Sequence, residues 1–433
     1  MVRLVDVRPA ERRALLWSFL CFFFLLGSYY VLRPLRDEMA IAGGIHHLQW
    51  LFTGTLATML VAVPIWSALV ARFPARRLIA FTYRFFLVNL LVFFALLRTP
   101  GDHVGLARGF FVWTSIFSLF AVSIFWSLLA DTFQREQGKR LFGFVSAGGS
   151  AGAIAGPLLT SLIVESIGPI NLLLIAAAAL ECAAFCAGRL GAWGRHRTDV
   201  DAAPPPAVAP APQAAREPAA PQGGGVGGDA WAALLLLLRS PYLLGIAGYV
   251  LLMTGTGTLA YMLQARLISA EALSSAGRTA FFARIDLLVN VGSAAAQAII
   301  AGRLMSRFGL GPPLALSPLL TIASAVAMAA SPRLGVLAAG NVVRRIAEYS
   351  ISRPAREVLF TVVTREEKYK PKALIDMVVY RGGDAASAWA FTAIAHLGAG
   401  IAVLALAAIP LALAWLAIAL WLARRHEGAT RGT

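Results

Sequence analysis

Only three of the 433 residues are cysteine, and Cys21, Cys182 and Cys186 all fall in apolar stretches, where they read as small buried residues. Neither a disulfide nor a metal site is expected from them. His46, His47 and His396 have no acidic or cysteine companions at ligand spacing, and no catalytic set is recognisable. The chain also lacks a glycine-rich phosphate loop followed by Lys-Ser or Lys-Thr, which argues against ATP hydrolysis as an energy source and leaves no cofactor to expect. Charge is scarce: Asp, Glu, Lys and Arg together make up 14% of the chain, too little for a soluble protein of this size.

What fills the chain instead is apolar sequence, 58% of all residues, with a mean hydropathy of +0.71. Stretches close to or longer than the roughly 18 residues that cross a bilayer recur from Ala14 to Leu422. Their limits predict spans at 14–32, 48–70, 78–97, 106–130, 141–164, 169–189, 241–264, 279–300, 313–330, 333–352, 373–396 and 398–423. The fold class expected is an all-α membrane protein of about twelve transmembrane helices in two six-helix pseudo-repeats.

The formal net charge of +16 could suggest nucleic acid, but the basic residues alternate with apolar spans and form no stripe or reading motif. They mark topology. Alternate connections carry Arg3, Arg8, Arg12 and Arg13, then Arg72, Arg76 and Arg77, then Arg135, Lys139 and Arg140, and so on to Arg424 and Arg425. The intervening ones hold mainly Arg98, Arg108, Arg266, Arg278 and Arg333. The positive-inside rule then places both termini in the cytoplasm of an inner (cytoplasmic) membrane protein. No small-residue cleavage site follows the first span, so it reads as an uncleaved anchor.

Residues 199–230 break the pattern with Pro204-Pro205-Pro206, four further prolines and Gly223-Gly224-Gly225. Such a segment cannot bury enough apolar surface to offset its ordering entropy, so a flexible cytoplasmic linker is expected between a six-helix half over 1–198 and another over 231–433.

Two internal matches support duplication. Leu69-Val70-Ala71-Arg72-Phe73 is echoed by Leu304-Met305-Ser306-Arg307-Phe308, and Gly148-Gly149 by Gly382-Gly383, at nearly one offset. The segment from Gly302 through Arg307 to Gly309 resembles the loop signature of major-facilitator transporters, with Ser306 in place of the usual aspartate. The resemblance implies the major-facilitator fold. The loop basic residues Arg72 and Arg307 are expected to cap helix ends and pair with acids across the halves.

Function is sought among charges inside the apolar spans, since each costs at least about 2.5 kcal/mol there and is kept mainly where it pairs, binds or relays protons. Four clusters qualify. The first is Arg33-Pro34-Leu35-Arg36-Asp37-Glu38, where the proline is expected to end or kink the first helix; snorkelling interfacial arginines are the alternative. Arg284 and Asp286 form the second. Arg344, Arg345 and Glu348 form the third, with Arg344 and Glu348 on one helix face and therefore also readable as a structural ion pair. Asp376, Arg381 and Asp384 form the fourth, around Gly382-Gly383. Arg84 and Glu181 look isolated. The excess of arginine suits an anionic substrate, because guanidinium forks bind phosphate or carboxylate and stay charged at any working pH. The expected substrate contacts are Arg33, Arg36, Arg284, Arg345 and Arg381; Asp37, Asp286, Glu348, Asp376 and Asp384 are the expected coupling or gating acids.

Three stretches add a more specific likeness. Tyr30-Val31-Leu32-Arg33-Pro34-Leu35-Arg36-Asp37, Ser123-Ile124-Phe125-Trp126 with Gly138-Lys139-Arg140-Leu141-Phe142, and Arg356-Glu357-Val358-Leu359-Phe360 with Lys370-Pro371-Lys372-Ala373-Leu374-Ile375-Asp376 and Arg381-Gly382-Gly383 resemble motifs of the non-mitochondrial ATP/ADP translocases. That resemblance implies nucleotide exchange by alternating access, with Arg36 touching the substrate. The chain departs from the family in having arginine at 36 and aspartate at 384, where the family has lysine. Rival readings are a non-transporting membrane scaffold or sensor, with the proline-rich segment as a docking site, and a lipid-handling major-facilitator protein drawn to anionic headgroups by its basic loops. The partners expected are the lipid bilayer and a small anionic substrate.

Overall fold

The computed structural model describes residues 8–201, 226–363 and 371–431. The chain rises and falls through long helices: α1 (Arg12–Ala42), α2 (Leu48–Arg72), α3 (Ala75–Leu97), α4 (Val104–Thr132), α5 (Arg135–Ile167) and α6 (Leu172–Asp201) make the first half. The second contains α7 (Val226–Arg239), α8 (Pro241–Ala270), α9 (Ser275–Ala296), α10 (Gly302–Phe308), α11 (Gly311–Ala330), α12 (Leu334–Ala347), α13 (Arg353–Leu359), α14 (Tyr380–His396), α15 (Ile401–Leu406) and α16 (Ala408–Arg431). π turns at Gln297–Ala301, Glu348–Ser352 and Ile375–Val379 join α9 to α10, α12 to α13, and the helical residues 371–374 to α14.

Ten helical segments among the described residues are long and apolar enough to cross a membrane. Two more, running through α12 and α13 and from residue 371 through α14, complete a twelve-helix fold in two six-helix halves. These two carry the buried Arg344, Glu348, Arg356 and Asp384, which is why their composition is the least membrane-like. Even connectivity puts the two ends of the chain on one face of the bundle, here the terminal face; the opposite face is the distal one.

Several sequence expectations change. The first helix does not end near Pro34 but continues to Ala42. The proline withdraws the N–H that would bond the Tyr30 carbonyl, yet α1 is packed on α4, α5, α6 and α9, and neighbours hold a proline-bearing membrane helix together. The tenth span runs past 352 to Leu359 because its π turn absorbs an extra residue without breaking the helix. Of the linker expected at 199–230, residues 202–225 lie outside the described ones, while α7 already begins at Val226.

Glycine sets the spacing of the helices that carry the site. A Cβ at Gly152 or Gly156 of α5 would run into the backbone of Phe23 or Gly27 on α1, so these positions let two backbones approach closely. Gly383 of α14 plays the same part in the second half, against Leu251 and Thr254 of α8. The fifth helix of each half thus lies against its first, the structural counterpart of the matched glycine pairs.

Candidate functional site: an arginine-rich cavity between the halves

At the distal face the halves are sealed. Ile41, Leu48, Leu51 and Phe111 pack with Leu259, Met262, Ile268, Phe282 and Phe391 in one apolar cluster. Above it, Arg278 donates Nε and Nη2 to the two carboxylate oxygens of Glu38 at 2.6 and 2.7 Å. Trp389 stacks edge-on with Trp50 and donates to Thr53. Below this seal lies a cavity of about 590 Å³, a volume suited to a small organic molecule.

Among the described residues six arginines, Arg33, Arg36, Arg344, Arg345, Arg353 and Arg381, line it, against four carboxylates, Asp37, Asp286, Glu348 and Asp384. The formal excess is two positive charges. Arg36 is held by its neighbour, donating to Asp37 at 2.9 and 2.6 Å, and Tyr261 from the other half donates to the same oxygen at 3.3 Å. Asp286, almost fully buried, accepts from Arg345 at 2.8 Å and stands 3.5 Å from Arg33 Nε. One carboxylate therefore answers two guanidiniums from opposite halves. Arg344 bridges to Glu348 at 2.9 Å and to Asn341 at 3.1 Å, and Asn341 donates in turn to Gln264. Asp384 accepts from Thr258 at 2.7 Å and from Arg381 at 3.4 Å.

Arg353 differs from the other five. It faces no carboxylate within ion-pair distance among the described residues, and its guanidinium lies 5.3 Å from the centre of the Tyr349 ring. Arg345 approaches the same ring at 5.7 Å.

Arg33, Arg36, Arg345 and Arg381 are brought to the cavity with Asp37, Asp286, Glu348 and Asp384, from helices α1, α9, α12 and α14 and the π turn after α12. Arg284 is not. It is two residues from Asp286 and so points away from it, with its side chain 65% exposed and 3.8 Å from Glu165. Asp376 lies apart too, in a lower cavity, 3.4 Å from Arg356. Arg84 and Glu181 are not isolated but 3.5 Å from each other, because α3 packs on α6. Arg72 and Arg307 sit exposed in the last turns of their helices, with no carboxylate across the halves at ion-pair distance among the described residues. Gly302 is exposed at the start of α10, and Gly309, at φ 70°, ends it.

Sequence reasoning missed Arg353, Tyr349, Tyr380, Asn341, Gln264 and Thr258. Arg353 carried a signal: it falls five residues after Glu348, but an expected span end at 352 put it in a loop. The uncharged residues carried none, since a polar side chain in an apolar helix does not reveal which way it faces.

The geometry is that of a membrane transporter, with a polar cavity between two helical halves sealed at one face. The sequence profile of the Major Facilitator Superfamily matches residues 15–343, and the chain belongs to that superfamily. It is a secondary transporter that works by alternating access. No curated protein matches the chain significantly. Among solved structures it is similar to the nucleoside transporter NupG, at 13% identity over 98% of this chain and 99% of that one, with a TM-score of 0.57. It is also similar to a POT family transporter in complex with 5-aminolevulinic acid, at 12% identity, 96% and 97% coverage and a TM-score of 0.63. A bacterial homolog to the human lysosomal transporter Spinster, inward-facing and unoccupied, aligns at 14% identity, 98% coverage of each chain and a TM-score of 0.52. At these identities the likeness speaks for the fold alone.

Proposed function

We propose that this transporter moves an organic anion, of the phosphorylated-metabolite or nucleotide type, by exchange. The observation that carries the reading is the central layer of six arginines against four carboxylates, an excess that an incoming anion with two negative charges would neutralise. Arg33, Arg36, Arg345 and Arg381 are the proposed substrate contacts. Guanidiniums already paired with carboxylates are well suited to exchange, since substrate and carboxylate compete for the same donors and the excess positive charge favours an occupied site. Asp286 and Asp37 are the proposed gating acids, because each is contacted by residues of both halves. Glu348 and Asp384 are the proposed coupling groups. The resemblance of the first-helix and eleventh-helix stretches to the ATP/ADP translocases supports a nucleotide as the anion. We further propose a cytoplasmic terminal face, on the distribution of loop arginines, an inner-membrane location, and a linker between α6 and α7.

The test is uptake by proteoliposomes of labelled ADP, ATP, sugar phosphates and inorganic phosphate, with and without the same compound trapped inside. Saturable uptake that needs an internal counter-anion and is lost in Arg36→Ala supports the reading; none across the panel rules it out. A second reading, movement of an amphiphile with an anionic headgroup, is favoured by the lower cavity, where Met59, Val63, Trp66 and Phe120 face an arginine-bearing wall. Headgroup-labelled lipid transfer in the same vesicles separates the two.

A further inference from the structure

On the terminal side of the central cavity, a second one of about 500 Å³ opens between α2 and α4 on one wall and Arg353, Arg356, Asp376, Met377, Tyr380 and Arg381 on the other. The helices that bound it, α2 and α14, touch at the distal face through Trp50 and Trp389. Towards the terminal face α2 is largely uncovered, with Leu60, Val61 and Ile65 exposed.

The two walls have opposite chemistry. One is apolar, with Trp66 stacked on Phe120 at 4.7 Å. The other carries Arg353, Arg356 and Arg381 against one carboxylate among the described residues, Asp376. Some of its donors are unspent. Arg356 is nine-tenths buried; its Nη2 lies 3.4 Å from Asp376 and 3.7 Å from Glu357, while its Nε and Nη1 have no hydrogen-bond partner among the described residues. Across the cavity the Trp66 indole N–H is buried and unpartnered as well. Among the described residues, no carboxylate stands within ion-pair distance of Arg353. Buried donors left unmet on both walls of one cavity call for an explanation, and a ligand acceptor is one.

We propose that this vestibule is a second anion subsite, centred on Arg353 and Arg356, that takes a phosphate group attached to an apolar portion. The phosphate meets the arginine wall, and the apolar portion, a nucleobase or an acyl chain, lies on Trp66 and Phe120, where rings and guanidiniums favour flat or aliphatic surfaces. An anion here can meet Arg353 and the Nε and Nη1 of Arg356 while Asp376 stays on Arg356 Nη2, whereas the central layer demands an exchange of partners. Arg353, Tyr380 and Arg381 line both cavities, so a ligand released from the vestibule has a continuous guanidinium path to the centre. The inference rests on the reading of the protein as an anion transporter and adds a separate site to it.

The experiment uses the full-length protein in two arms. Calorimetric titration with ADP reads a soluble source, and native mass spectrometry after extraction from bilayers containing phosphatidylglycerol reads a lipid source. Each is run on wild type, Arg353→Gln, Arg353→Lys, Trp66→Ala and Arg36→Gln. The expected result is a ligand, in one arm, whose affinity or occupancy falls at least tenfold in Arg353→Gln and in Trp66→Ala, is partly restored in Arg353→Lys, and survives Arg36→Gln; the arm identifies its source. If Arg353→Gln holds ligand as wild type does in both arms, the subsite is overturned, and ADP binding lost only in Arg36→Gln leaves the transport reading standing alone. A single site lost equally in Arg353→Gln and Arg36→Gln also overturns a separate vestibule site. If wild type binds nothing in either arm, both readings fall.

Discussion

Arg278, at the start of α9, closes a two-pronged hydrogen-bonded ion pair on Glu38, near the end of α1, with both contacts under 2.8 Å. It joins the two halves across their distal seal, and Glu38 is almost fully buried beneath it. A gate of this kind stabilises one state of the alternating cycle and must break in the other.

Arg278→Ala should therefore favour opening at the distal face. Hydrogen bonds to charged groups contribute roughly 1.5–3 kcal/mol, so the population of distally open protein should rise by about ten- to a hundredfold. Labelling of Thr55→Cys, in a background where exposed Cys182 is Ser, by an impermeant thiol reagent from the distal side measures this. Unchanged labelling rates would mean that the apolar cluster alone holds the gate.

Asp286 answers both Arg33 and Arg345, so Asp286→Asn leaves two guanidiniums facing each other in a buried setting. Removing one partner of a buried ion pair costs about 3–5 kcal/mol, and a fall of several degrees in melting temperature is expected. Adding Arg345→Gln should recover part of it, because Arg345 makes the closer contact. Additive losses in the double variant would show that the pair is not coupled.

Arg284 supplies the contrast within the same helix. Its pairing with Glu165 is well exposed on both sides, and exposed pairs contribute about 0–1 kcal/mol. Arg284→Ala should leave anion uptake within about twofold of wild type, whereas Arg381→Ala should abolish it. Uptake assays in the same liposomes decide, and equal losses would contradict the division between cavity-lining and outward-facing arginines.

Acid sensitivity should centre on Glu11, just before α1. Its carboxylate accepts from Gln137 at 2.7 Å, from Arg140 at 2.9 Å and from the Arg8 backbone N–H at 3.1 Å. Burial pushes the carboxyl up, but the Arg8 N–H, Gln137 and the Arg140 charge outweigh it and hold it below its usual range. A depressed folded value means the contact stabilises above the unfolded carboxylate range and is lost as pH falls through the folded value. Glu11→Gln should therefore lower the melting temperature at pH 7, and the gap from wild type should close as pH falls below about 4. A gap independent of pH would assign the loss to packing.

Gly152 faces the α1 backbone at a distance no side chain can share. Gly152→Val should force α1 and α5 apart, with overpacking costs of about 1–3 kcal/mol or more, and should reduce both melting temperature and uptake because α1 carries Arg33 and Arg36. Gly382→Ala, at a position with nothing near its would-be Cβ, is the tolerated control.

The sequence by itself determined the membrane class, the number of helices and the two-half plan, because hydropathy and span length are local properties that the bilayer imposes on each segment separately. It also named most of the charged residues of the cavity, since a charge in an apolar helix is conspicuous whichever way it faces. The tertiary structure decided which way each faces. Arg284 and Asp286 are two residues apart on one helix, and only the rotation of α9 against α1 and α12 turns the acid inwards and the arginine out. Continuation of α1 past Pro34 and of the tenth helix past Ser352 depended on packing that no local rule contains. That Glu38 meets Arg278, and Asp286 meets both Arg33 and Arg345, could not be read from spacing, because each contact joins positions more than fifty residues apart on helices whose mutual rotation is fixed by side-chain packing alone.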